Sequence, residues 1–181
     1  MKKIKVEIKS ISPLLMNSPK AMIDEALGQE MKLKTKKYDP KEEAEKVAYR
    51  NEKGKLFVPS TAIRAAMINA SSFKKIGKYA AKSIVSASVY IPEPEIVLDK
   101  QAYEVDSRTV VIQRNRVVKF RPIIKDWKLN FEIVYNENLI DEKFIRQILT
   151  EAGQRIGLLD FRPQKTGSFG MFEVTKWTVQ K

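Results

Sequence analysis

The chain has 181 residues, 43% of them hydrophobic and 31% charged, and its 34 lysines and arginines outnumber 22 aspartates and glutamates to give a formal charge of +12. With no cysteine and no histidine, it excludes thiol nucleophiles, Cys/His zinc sites, Ser-His-Asp relays and His-dependent ribonuclease chemistry. The cationic surplus favours a polyanion, nucleic acid first, and no apolar run approaches the roughly 20 residues of a membrane helix.

The N-terminus alternates: Ile4, Val6 and Ile8 share one face and Lys3, Lys5, Glu7 and Lys9 the other, the period of a half-buried strand. This alternation also differs from the continuous apolar block of a signal peptide, so a cytoplasmic protein is expected. Ser12-Pro13 ends the strand. Residues 17–54 lose the pattern and read as a long insertion, with a charge run at Lys32, Lys34, Lys36 and Lys37 and a helical patch from Pro40 to Tyr49. Loops of this length carry function or remain disordered.

Lys55 to Val58 reads as a short strand. Pro59-Ser60 then opens a helix in which Ile63, Ala66, Met67 and Ala70 follow helical spacing, with Ser60 or Thr61 as its cap. Lys74, Lys75, Lys78 and Lys82 surround Phe73 and Tyr79, and Ile84 to Ile91 reads as an apolar strand closed by Pro92 and Pro94. Residues 104–121 form an expected β-hairpin turning at Gln113-Arg114-Asn115-Arg116, with Arg108, Arg114, Arg116, Lys119 and Arg121 along it. Five cations in so short a stretch suit phosphate contact, or equally keep a sheet edge from aggregating.

Trp127, Leu129, Phe131, Ile133 and Tyr135 alternate cleanly as a strand. Asp141 caps a helix burying Phe144, Ile145, Ile148, Leu149, Ala152 and Ile156, and a last strand runs from about Met171 to Val179. Apart from the insertion and hairpin, the order is strand, helix, strand, strand, helix, strand. This predicts an α+β, ferredoxin-like (RRM-type) βαββαβ core in a single domain over residues 1–181.

The segment 157–170, GLLDFRPQKTGSFG, joins the second helix to the last strand. Gly167 and Gly170 allow close backbone approach, Arg162 and Lys165 supply charge for phosphate, and Phe161 and Phe169 offer ring faces. The alternative is a turn whose glycines satisfy backbone angles and whose phenylalanines pack inward. Asp106, Asp126 and Asp160 read as partners of nearby cations, and Trp127 and Trp177 as packing residues.

Residues 8–16 (IKSISPLLM), 57–66 (FVPSTAIRAA) and 166–172 (TGSFGMF) resemble, in order and spacing, three signatures of the RAMP superfamily of CRISPR proteins. The branch they resemble is the backbone subunits that polymerise along guide RNA. The resemblance implies that Ser60, Thr61 and Arg64 contact RNA phosphate, and that Lys165, Thr166, Gly167, Ser168, Phe169 and Gly170 line the same groove. It makes the basic hairpin a finger against the strand or a neighbouring subunit. Some relatives cleave RNA with an aspartate in the insertion. Asp24, beside Glu25, is the matching position, and a metal on two carboxylates supports hydrolysis. Ser60 stands where the family has glycine, and the loop lacks the family's Ser-Arg pair.

The expectation is a non-enzymatic binder of single-stranded RNA or DNA that calls for no cofactor and no metal. It works as a homo-oligomer or filament, or beside other effector-complex subunits, and away from membranes. A metal-dependent ribonuclease using Asp24 and a protein-interaction scaffold of a mobile-element assembly are the alternatives.

Overall fold

The computed structural model describes residues 1–27, 39–112 and 114–180, so the lysines at 32, 34, 36 and 37 and the turn residue Gln113 lie outside the described residues. In chain order come β1 (Lys2–Ser10), β2 (Leu14–Leu15), α1 (Lys20–Ala26), α2 (Pro40–Lys46), β3 (Phe57–Pro59), α3 (Ser60–Ala70), β4 (Lys75–Ile76) and β5 (Tyr79–Ala80). There follow α4 (Ala81–Ser88), β6 (Val89–Tyr90), β7 (Glu95–Val97), β8 (Glu104–Ile112), β9 (Asn115–Ile124), β10 (Lys128–Tyr135), α5 (Glu142–Glu151) and β11 (Phe172–Gln180).

The main sheet runs β11-β1-β10-β6, and every neighbouring pair in it is antiparallel. Numbered within the βαββαβ core, its strands are the fourth, first, third and second, so the chain has the expected ferredoxin-like α+β topology. Register follows the alternation of the two central strands: Ile4 lies opposite Ile133, Val6 opposite Phe131 and Ile8 opposite Leu129. All six are buried, in one cluster with Ile63 and Met67 of α3 and Ile145, Ile148 and Leu149 of α5. A one-residue slip would turn each of these strand residues to the other face. Burial of each large aliphatic side chain contributes about 1.5–3 kcal/mol.

Asp141 caps α5 as expected, accepting the Phe144 amide at 2.7 Å. A π turn over Ala152–Ile156 extends that helix toward the loop that precedes β11. The insertion contributes α2, whose Asp39 cap accepts the Lys41 amide at 2.8 Å. The hairpin of β8 and β9 forms as expected and is longer than the sequence indicates, because β9 runs to Ile124 and also pairs with β2.

Two local expectations are corrected. Ile84 to Ile91 is not a strand: α4 occupies most of it, burying Ala81, Val85 and Ser88 at helical spacing, and only Val89–Tyr90 joins the sheet. The run is rich in β-branched residues, but the Ser88 hydroxyl donates back to the Ile84 carbonyl at 2.6 Å, a bond available only within a helical turn. At α3 the capping position is Pro59, with no side-chain cap. Ser60 is buried, and its amide donates instead to the Pro94 carbonyl at 3.0 Å.

Candidate nucleic-acid interface

The loop between α5 and β11 is closed at its neck. Leu158 donates its amide to the Gly170 carbonyl at 2.9 Å, and Gly170 donates to the Pro13 carbonyl at 2.8 Å. Inside this neck the Phe169 and Gly167 amides bond the Phe161 and Arg162 carbonyls at 3.2 and 3.1 Å. Both glycines are obligatory. A Cβ on Gly167 would lie 1.7 Å from the Phe161 carbonyl oxygen, and Gly170 combines a φ of +71° with a virtual Cβ 2.1 Å from the Leu158 carbonyl oxygen. Arg162 staples the loop from within, its Nη1 donating to the Leu159 carbonyl at 2.7 Å and its Nε and Nη2 to Gln164 at 3.3 and 3.2 Å. Lys165, Thr166 and Ser168 point to solvent.

The base of the hairpin is locked onto this loop. Arg121 donates through Nη1 to Asp160 Oδ2 at 2.6 Å, with Asp106 at 3.8 Å from its Nη2. It is only 6% exposed, and its Nε has no hydrogen-bond partner among the described residues. Arg121, expected to meet phosphate, is instead turned inward onto these two carboxylates. Arg108 holds both oxygens of Asp106 at 2.9 and 3.0 Å and lies over the rings of Phe169, at 4.7 Å, and Phe161, at 6.0 Å. Phe169 is buried beneath that guanidinium, so its ring is not offered to a base. Farther along the hairpin, Arg114, Arg116 and Lys119 have no carboxylate partner among the described residues. Exposed Val111, Val117 and Val118 lie between them.

A cleft of about 270 Å³ lies where α3 faces the loop, lined by Ala62, Ala65 and Asn69 on the helix and by Asp160, Arg162 and Gln164 opposite. Asn17 and Tyr49 close its sides. Burial pushes the Tyr49 hydroxyl above its ordinary pKa, and the charge of Asp160 adds to the effect. None of Asn17, Tyr49 or Asn69 carried a signal in the sequence, because neutral residues so far apart acquire meaning only once folding brings them together. Thr61 is exposed at the start of α3. Arg64 emerges on the opposite side of the helix from the cleft, where it donates to the carbonyls of Ser86 and Val89, the latter at 3.1 Å. It ties α3 to the end of α4, and the structure does not bring it to the loop.

The remaining predicted positions lie apart. Lys74 pairs with Glu151 of α5 at 2.7 Å. Lys75 and Lys78 are exposed on the small β4–β5 hairpin beside exposed Phe73 and Tyr79. Asp24 borders a shallow depression with Glu42 and Glu45. Glu45 is engaged by Arg50 and by the Tyr103 hydroxyl, and the Arg50 hydrogen bond holds its carboxyl below the usual range. Among the described residues no group of three or more acidic side chains is placed to hold a metal ion. As the sequence indicated, Asp106 and Asp160 pair with arginine and Asp126 with Lys100. Trp127 is fully buried, and Trp177 packs partly buried against the core.

The outward face of the sheet differs from a base-stacking platform. On the central strands β1 and β10 it presents Lys3, Lys5, Glu7, Lys9, Lys128, Asn130, Glu132 and Val134 and no aromatic ring. Its cations are partly matched: Lys3 pairs with Glu132 at 3.2 Å and Lys176 with Glu7 at 2.8 Å.

No family model matches the chain, and no curated protein matches it in sequence. Among solved structures it is similar to a chain in the cryo-EM structure of the Type III-B Cmr-beta bound to cognate target RNA, with a TM-score of 0.64 over 99% of this chain and 16% identity. The likeness is one of fold, and this chain spans 61% of the length of that one.

Proposed function

We propose that this chain binds single-stranded RNA through its phosphates, as one domain that sits beside further copies or other subunits in an RNA-bound assembly. The observation that carries the reading is the lock between hairpin and loop. Arg121 on Asp160 and Arg108 over Phe169 make one rigid unit, from which Arg114, Arg116, Lys119 and Lys165 project without carboxylate partners among the described residues. Cations on a preorganised support lose less entropy on meeting phosphate than cations on a mobile tail. The fold shared with a chain of an RNA-bound complex supports the same reading, as does the RAMP resemblance of the sequence. Those two likenesses favour RNA over DNA, and the strand passes along the loop and hairpin edge rather than over the sheet, whose central strands β1 and β10 carry no outward ring.

The test is fluorescence anisotropy with labelled single-stranded RNA across a salt series. About six neutralised phosphates give a log-log slope of roughly −4. A flat salt response, or no binding at low salt, rejects the proposal.

A further inference from the structure

The phosphate contacts proposed above read no sequence, yet the cleft beside them has the chemistry to do so. Asp160 is held by Arg121 through Oδ2 at 2.6 Å, which positions its carboxylate and leaves Oδ1 without a hydrogen-bond partner among the described residues. The side-chain amides of Asn17 and Asn69 and the hydroxyl of Tyr49 also line the cleft and make no hydrogen bond to the described residues. Ala62 and Ala65 give it a smooth apolar wall. At about 270 Å³ it falls just below the roughly 300–1,000 Å³ of ordinary small-molecule pockets, a size suited to one planar base and too small for a stretch of strand.

We infer that this cleft receives a single unstacked base of the bound strand and prefers guanine. The inference rests on the strand-binding reading and adds one point of sequence recognition to it. A carboxylate accepts hydrogen bonds and cannot donate them. On its Watson–Crick edge guanine sets N1–H and the N2 amino group side by side, two donors for one carboxylate. Adenine and cytosine place a ring-nitrogen lone pair beside their amino group, and uracil flanks its single N–H with two carbonyls. Each of these three turns at least one lone pair toward Asp160. The O6 of guanine then takes a hydrogen bond from an amide of Asn69 or Asn17, and its ring lies along Ala62 and Ala65. Splayed bases read on this edge are the ordinary means of sequence recognition in single-stranded RNA.

The experiment measures anisotropy for a short oligouridylate and for the same oligomer carrying one central guanosine, adenosine, cytidine or inosine. Guanosine is expected to tighten binding roughly tenfold, the range of one good bidentate base contact. Inosine, which lacks the N2 amino group, should lose most of that gain. Ala65→Leu fills the cleft from an exposed helix position without touching the Asp160–Arg121 pair. It should erase the guanosine advantage, bringing the guanosine oligomer to the affinity of oligouridylate on the same variant. Asp160→Asn should erase the advantage as well, and should its fold fail, Ala65→Leu still decides the matter. Equal affinity for all five oligomers, or a guanosine preference that survives Ala65→Leu, overturns the inference while strand binding stands. Failure of every oligomer to bind overturns the strand-binding reading and the base pocket with it.

Discussion

Arg121 looked in the sequence like one more cation of a basic hairpin. Its role depends on Asp160, 39 positions away, a partner that no local pattern announces. Removing one member of a buried pair leaves the other charged and unmatched, a loss of about 3–5 kcal/mol. Because the Asp160 side chain is 31% exposed, Arg121→Met is expected to cost about 3 kcal/mol in urea unfolding, at the low end of that range. Tyr103 makes a second residue-level prediction. Burial, and then its hydrogen bond to Glu45, push the Tyr103 hydroxyl up to about 12 from 10.0. The folded protein thus holds this proton more tightly than the unfolded chain does. The stabilisation is complete below pH 10 and is lost as pH rises toward 12. In alkaline unfolding, Tyr103→Phe should weaken the pH dependence of stability across that window. An unchanged profile would mean that the hydroxyl is as free as in the unfolded chain.

Among the elements, legibility followed amphipathic pattern. Strand β10 and helices α3 and α5 each bury one clean face, and the sequence shows them directly. Helix α4 was hidden because short apolar runs of β-branched residues fit a strand and a buried helix equally well. The contacts that choose the helix, including Arg64 on its last carbonyls, are tertiary. The β8–β9 hairpin was legible as an element, but the division of its cations was not: Arg108 and Arg121 serve the fold at its base, while Arg114, Arg116 and Lys119 remain for a ligand. Replacing the latter three with alanine should leave unfolding free energy within about 0.5 kcal/mol of the parent. The same variant should make the RNA salt slope shallower by about 2, from a single-strand contribution of roughly 0.7 per cation. An unchanged slope would remove the hairpin from the interface.

At the scale of the molecule, the fold class was legible because the order of elements needs only their types, whereas the placement of charge needs coordinates. The surplus cations fall in three groups: lysines on the outward sheet face, partly offset by glutamates, the arginines and lysines of the β8–β9 hairpin and the loop, and a smaller group on the β4–β5 hairpin. Lys9 and Lys128 stand directly opposite each other on β1 and β10, a like-charge pair that destabilises the sheet. Changing both to serine should raise stability by about 0.2–1 kcal/mol and leave RNA affinity unaltered. A clear loss of affinity would place the strand on the sheet after all.

The hydrogen-bonded gate at Leu158 and Gly170 also uncouples the length of what it encloses from the register of β11. Residues threaded between those two positions can grow in number at a cost of only about 0.6 kcal/mol per doubling, with no strand obliged to slide. Such a clasp is a natural place to exchange one recognition surface for another on an unchanged scaffold. Grafting a foreign bow in place of residues 163–166, which keeps Asp160 and Phe169 within the clasp, would reveal how far ligand choice travels with it.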